Sequence, residues 1–259
     1  MKQTRSMFSW LVAGSLALLM VSSVAAQTAK ERMAKVVRLK GSARYSTGNN
    51  VWQPIKTGTL LKSGFIIQTA ADSYVDVLLG ESESAVTPPR AVVGDQVSYQ
   101  SKAAQDMIRL RDDTVLALDK LTVTDTGADQ ITETQLDLRS GKIFGSVNKL
   151  SPASHYEIKL PNGVAGIRGT VYMISADGVV QVLSGSVVIS WVALDGTPAT
   201  QTVGFGNQFD TRTGMMTPIT EIQSQEMVRI SQGQMVEYRK ATSFVQDTTI
   251  YFVSPTKSP

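Results

Sequence analysis

Apolar and polar residues alternate in short runs along most of the chain. In "SYVDVLLG", Val75, Val77 and Leu79 fall on one side and Tyr74, Asp76 and Leu78 on the other. "KVVRLKGSARYS" reads as two short strands about Gly41, and "MIRLRDDTVLALDKLTV" as a hairpin turning at Asp112-Asp113. "ETQLDLRSGKIFGSV", "HYEIKLPNG", "VYMISADGVVQVLSGSVVISWVAL" and "TQTVGFGNQFD" continue the pattern, broken by Gly, Asn, Asp or Pro about every eight to twelve residues. A period of two predicts half-buried strands. Turns at that spacing predict a sandwich, barrel or irregular solenoid and no βαβ units. The expected fold class is all-β: a twisted solenoid-like or sandwich-like array of short strands with glycine turns.

Some stretches depart from the alternation. Residues 80–106 are polar and carry Pro88-Pro89, which predicts a loop inserted between two core strands. "QTAKERMAK", around residues 27–34, is a helix-compatible linker. Near the C-terminus, Ile219, Ile222, Met227 and Ile230 stand close to helical spacing. One amphipathic helix is expected there within residues 213–259, capped by Thr217, with Pro218 in its first turn and a kink near Gly233. The last residues, "SPTKSP", are expected to be loose.

Between Trp52 and Ile67 the rhythm changes. Trp52, Ile55, Gly58, Leu61, Gly64 and Ile67 follow at steps of three, a period that neither helix nor strand explains. A coiled segment with every third residue inward would produce it, with Gly58 and Gly64 relieving crowding or adopting positive φ and Trp52 capping the core. Gly163, Gly166 and Gly169 repeat the step in "GVAGIRGTVYMIS". "LKSGFII", "LRSGKIF" and "LSGSVVI" form a weaker echo about Gly64, Gly141 and Gly185, at unequal separations suited to turns before strands.

These residues resemble a known family. The run from Trp52 to Thr69, then "ADSYVDVLL", then "LDLRSGKIFGSV" and "YEIKLPNGVAGIRGTVYMI", is similar in content and order to a FecR-type domain. The Gly-Ile-Arg-Gly-Thr run entering an aromatic-bearing strand is its most distinctive part. The resemblance covers residues 35–212. Phe65 departs from it, standing where an acidic residue is usual, and so does the 80–106 segment. It implies a twisted solenoid-like β fold. Family regulators join this domain to a cytoplasmic anti-sigma segment through a membrane helix. Only six residues precede the first apolar run here, so a stand-alone exported FecR-domain protein is the expectation.

That apolar run lies in "MKQTRSMFSWLVAGSLALLMVSSVAA", which has a basic start, an apolar middle and a small-residue end. Val24 and Ala26 suit positions −3 and −1 of a signal-peptidase site, making residues 1–26 a signal peptide and Gln27 the mature start. The protein is then periplasmic or secreted, with no membrane span after cleavage. The alternative is retention of residues 7–26 as an anchor for a periplasmic sensor. The chain has no cysteine, hence no disulfide and no lipoprotein attachment site. Its 259 residues, 42% of them apolar, suffice for a core without staples. Without Lys2 and Arg5 the balance is 23 basic to 22 acidic residues, with no basic run, so nucleic acid is not an expected partner.

Candidate chemistry is sparse. Arg168, between two glycines, could meet a carboxylate or sulfate, or fold back and staple its own turn; the second reading is favoured. "GIRG" also matches the Gly-x-x-Gly loop of a KH module, but that loop joins helices and strands are expected here. His155 is the lone histidine, and with no cysteine it cannot build a zinc site; it reads as a rim residue at a strand start. There is no P-loop, no dinucleotide fingerprint and no nucleophile elbow. Asp112, Asp113, Asp119, Asp125, Asp129 and Glu133 read as solvated turn acids, although paired carboxylates of a carbohydrate hydrolase, or a calcium site at Asp125, Asp129 and their neighbours, are alternatives. Trp52, Trp191 and Tyr172 could stack on sugars but read first as core. Trp52, Gly58, Gly64, Gly163, Gly166, Arg168, Gly169 and Thr170 are therefore expected to be structural, with binding second. No catalytic residue, cofactor or metal is expected, and the expected partner is an envelope protein or glycan.

Overall fold

The structure, a computed structural model, describes residues 28–49, 51–81, 106–127 and 129–242. The expected signal peptide, nearly all of the 80–106 segment and the C-terminal tail lie outside these residues. The first strands are β1 (Lys30–Glu31), β2 (Met33–Lys40), β3 (Ala43–Ser46), β4 (Trp52–Pro54), β5 (Leu60–Leu61), β6 (Ile66–Thr69) and β7 (Tyr74–Glu81). Next come β8 (Asp106–Leu110), β9 (Val115–Asp125), β10 (Gln130–Ser140), β11 (Lys142–Ser146), β12 (His155–Leu160) and β13 (Gly163–Ile167). The rest are β14 (Val171–Ser175), β15 (Val179–Ser184), β16 (Ser186–Val192), β17 (Pro198–Gly204), β18 (Asn207–Asp210), β19 (Met215–Pro218) and the helix α1 (Glu221–Thr242).

Two facing sheets result, neither closed into a barrel. Sheet A runs β17-β16-β13-β12-β10-β9-β6-β3-β4, with β1 also paired to β9, and sheet B runs β19-β18-β15-β14-β11-β8-β7-β2-β5. The chain lays down one or two strands in one sheet, turns a corner and continues in the other. β10 and β12 pair in parallel, with β11 crossing through sheet B between them, which makes one complete solenoid turn. The expected all-β, solenoid-like or sandwich-like architecture is the observed one.

The core lies between the sheets, and the alternation records it. In β10 the buried residues are Thr134, Leu136 and Leu138, and in β12 they are Tyr156, Ile158 and Leu160. Sheet B reads differently because α1 covers part of its outer face. β14 therefore buries Tyr172 and Ile174 toward sheet A, and Met173 toward the helix. A strand covered on both faces shows a continuous apolar run instead of an alternating one.

Corners along one long edge of the sandwich are bonded to one another. The Ala70 amide donates to the Ser42 carbonyl, Asp113 to Ala70, Arg111 to Lys142, Ala176 to Gly141 and Thr211 to Gly178, at 2.9–3.3 Å. Hydroxyls reinforce the ladder: Ser73 Oγ accepts from the Ser42 amide at 3.0 Å and Thr114 Oγ1 from the Lys142 amide at 3.0 Å. Gly141 takes φ of 79°, and a Cβ there would lie 2.5 Å from Thr114 Cα, so this crossing has no room for a side chain. The Ser-Gly echo thus marks sheet-to-sheet corners.

Four expectations are corrected. β8 and β9 form no hairpin, because they lie in different sheets and Asp112-Asp113 is a corner. The Thr69 hydroxyl draws that corner sideways by accepting from the Thr114 amide at 2.9 Å. The true hairpin joins β9 to β10, where Asp125 accepts from the Gly127 amide at 2.8 Å. The helix-compatible linker contains β1 and the start of β2, because burying Met33 and Ala34 decides the conformation. Neither Thr217 nor Pro218 begins the helix: both lie in β19, and Thr220 and Gln223 cap α1 reciprocally. Trp52 does not cap the core; it lies on edge strand β4 with the Arg44 guanidinium 4.5 Å from its ring centre. Its companions behave as the three-residue step predicts, with Ile55, Leu61 and Ile67 buried and Gly58 and Gly64 at φ of 90° and 85°.

Candidate binding cleft

Strand register places a row of side chains across the outer face of sheet B. Arg38 stands beside Asp76, Asp76 beside Arg109, and then follow Phe144, Met173, Gln181, Gln208 and Thr217, one from each successive strand. Helix α1 lies across this row. At its start Gln223 donates to Gln208 Oε1 at 3.2 Å, and Gln208 also accepts from Gln181 at 3.1 Å. In its middle Met227 and Ile230 are buried against Phe144, Met173, Val171 and Leu183.

Charge dominates the other end of the row. Arg109 makes a fork with Asp76, Nε to Oδ1 and Nη2 to Oδ2, both at 2.6 Å, and Asp76 is fully buried. Such a pair overcomes desolvation only when its geometry is this good. The Arg109 guanidinium also lies 4.2 Å from the centre of the Tyr74 ring, with Arg38 at 5.5 Å from the same centre. Arg111 reaches the helix, its Nη1 donating to Glu226 Oε1 at 2.5 Å.

Between this corner of the sheet and the helix lies a cleft of about 490 Å³. The sheet supplies Lys40, Asp72, Ser73, Tyr74, Arg109, Arg111 and Asp112, and the helix supplies Glu226, Arg229 and Ile230. The corner ladder fixes the sheet side of this wall, since Ser73, Arg111 and Asp112 are ladder residues or their neighbours. The side chains of Lys40 and Arg229 make no hydrogen bond or ion pair with any described residue, and both residues are exposed. Of the cleft residues, the sequence marks Asp112 as a turn acid and Ile230 as part of the helix stripe, and neither as part of a cleft. "IRLR" does show Arg109 and Arg111 sharing a strand face, but the Arg111–Glu226 pair spans 115 residues and leaves no local trace.

The Gly163–Thr170 run takes another place. Gly163 and Gly166 have ordinary strand conformation in β13, and a Cβ on Gly163 would lie 2.4 Å from the Ser190 carbonyl of β16. Gly169 turns the corner at φ of 63°. Arg168 is exposed and makes no hydrogen bond or ion pair with a described residue, so it does not staple the turn. Thr170 does that work. It is buried, its hydroxyl donates to the Ser186 carbonyl at 2.7 Å, and its own carbonyl accepts from Val147 at 3.0 Å.

A second polar group is buried between the sheets. Arg32 is 8% exposed, its Nη2 donating to the Leu79 carbonyl at 3.4 Å and its Nη1 without a hydrogen-bond partner. Burial lowers its pKa, opposed by Asp106. Burial pushes the Asp106 carboxyl up to about 6, against the bond from the Asn148 amide and the charge of Arg32. The Tyr156 and Tyr172 hydroxyls meet at 3.3 Å, and burial raises both phenols. Tyr172 is thus core, and Trp191 is half-buried against the core, edge-on to Phe209 at 4.8 Å. His155 opens β12 and is exposed. The hairpin acids are engaged locally, Asp119 with Lys159 at 2.8 Å and Glu133 with Lys120 at 2.6 Å. Among the described residues no group of three or more His, Cys, Asp or Glu is placed to hold a metal, and no helix is long and apolar enough to cross a membrane.

Comparison with known proteins adds three findings. No curated protein matches the chain. Two crystal structures of a candidate anti-sigma factor from Parabacteroides distasonis are similar over 49% of this chain at 15% identity, each with a TM-score of 0.34. The chain spans 56% and 57% of those two, little more than half of their length. The family model described as FecR protein matches residues 95–188. The Leu136–Val147 stretch and the Gly163–Thr170 run lie inside that match, and the Trp52–Thr69 run lies outside it.

Proposed function

We propose that this chain is an exported, non-enzymatic FecR-domain protein that serves as a binding module of the bacterial cell envelope. The cleft between sheet B and α1 carries the reading: it is open, has the volume of a recognition site, and is walled by side chains that bind instead of react. Glu226 on the helix wall is paired to Arg111, and Asp76 behind the sheet wall to Arg109, so both are engaged as acceptors for guanidinium groups. The FecR match supports the module, and the basic, apolar and small-residue order of residues 1–26 supports export. Expression of the full chain in a bacterial host tests both parts. N-terminal sequencing should give Gln27 or a near neighbour, and the mature chain should retain a reproducible partner from envelope extracts. A mature protein that keeps residues 7–26, or turnover of envelope glycan by purified material, overturns the proposal.

A further inference from the structure

The cleft already contains one bound carboxylate, and it belongs to the protein itself. Glu226 reaches Arg111 from an element 115 residues away, and the two side chains remain 37% and 32% exposed. An ion pair as open to water as this contributes little to stability and exchanges readily. Asp76 is the opposite case: wholly buried and bidentate on Arg109, it cannot be displaced without stranding a buried charge. Arg109 and the Tyr74 ring beneath it are therefore fixed wall, while Arg111 is recoverable. Around Arg111 stand Lys40 at the end of β2 and Arg229 three residues beyond Glu226 on α1, both without protein partners among the described residues. Three cations are thus available to a ligand. Asp112, whose Oδ1 lies 3.8 Å from Arg111 Nε and stays there when Glu226 leaves, and Asp72 also line the cleft and oppose any densely charged anion.

We infer that this cleft binds carboxylates, that Glu226 is its internal stand-in, and that an acidic peptide segment of a partner is the ligand that replaces it. The inference rests on the binding-module reading and names the chemistry of its partner. Three separated cations match carboxylates spaced along a peptide better than a single compact acid. A ligand carboxylate on Arg111 releases Glu226 and with it one of the contacts that hold α1 to sheet B, so binding and helix docking are coupled.

Titration of the full mature chain with triglutamate, and separately with succinate, tests this by calorimetry or by NMR shifts of Arg111 and Arg229. Glu226→Gln removes the competitor and should tighten triglutamate binding about threefold or more. The Lys40→Ala/Arg229→Ala double variant touches no fold contact and should weaken it about tenfold. Equal binding of succinate and triglutamate removes the peptide while keeping the carboxylate. Glu226→Gln that binds no better than the native chain, or a double variant that binds as well, overturns the site. A reproducible envelope partner retained equally by both variants overturns the site and leaves the module reading intact, whereas a cleft that binds triglutamate in a chain that is not exported does the reverse.

Discussion

At the corner after β13 the buried Thr170 hydroxyl holds the Ser186 carbonyl, while the Arg168 guanidinium two positions earlier stands in solvent. Replacing Thr170 by Val keeps the shape and leaves that carbonyl short of a donor. Urea unfolding should show a loss of about 1–2 kcal/mol, against less than about 0.5 kcal/mol for Arg168→Ala. Glycines can be sorted by the same reasoning. Gly141→Ala meets the Thr114 backbone as well as strain at positive φ and should cost about 3 kcal/mol or more. Gly58→Ala has nothing within 4 Å and should cost only the conformational share, about 1–2 kcal/mol. Sequence located these corners, since Gly steps and Ser-Gly pairs are local signals. It gave the stapling role to the wrong residue, because a small buried hydroxyl looks unremarkable beside an arginine flanked by glycines.

Two buried apolar side chains, Met227 and Ile230, hold α1 to sheet B, together with Gln223 on Gln208 and Arg111 on Glu226. The interior strands of both sheets are paired on each side and buried in the main core. The helix should therefore open locally before the sandwich does. Hydrogen exchange should find α1 amides less protected than those of β10 and β14, and Thr220→Ala, which breaks the reciprocal cap, should lower helix protection further by about 1 kcal/mol with little effect on the strands. The helix was legible from its spacing, but its start and buried face were not. Ile222 is exposed although it fits the apolar stripe, and the buried contacts begin only at Met227.

Between β2 and β18 most strands were legible in kind and illegible in partnership. Alternation reports that a residue has one dry side and says nothing about which strand lies next to it, so the β8 and β9 segments read as a hairpin although they belong to opposite sheets. The Arg32–Asp106 group was missed for the same reason, since it joins strands from distant parts of the chain. That group has a measurable consequence. Asp106 holds its proton more tightly folded than unfolded, where a carboxyl titrates near 4. Its contribution to stability is thus complete below about pH 4 and is lost as the pH rises through about 6. Measured relative to Asp106→Asn across pH 4 to 7, the native chain should lose on the order of 2–3 kcal/mol, and a flat difference would refute the burial argument.

The pairing of Leu79 with Asp106 puts the departure and return points of the 82–105 segment side by side at one end of adjacent strands. The distance to be bridged between β7 and β8 is therefore set by their pairing, and closing it costs only slowly more as the connecting chain lengthens. An epitope or a reporter domain carried between these two strand ends starts and finishes at one place on the frame, as an insertion with adjacent termini requires.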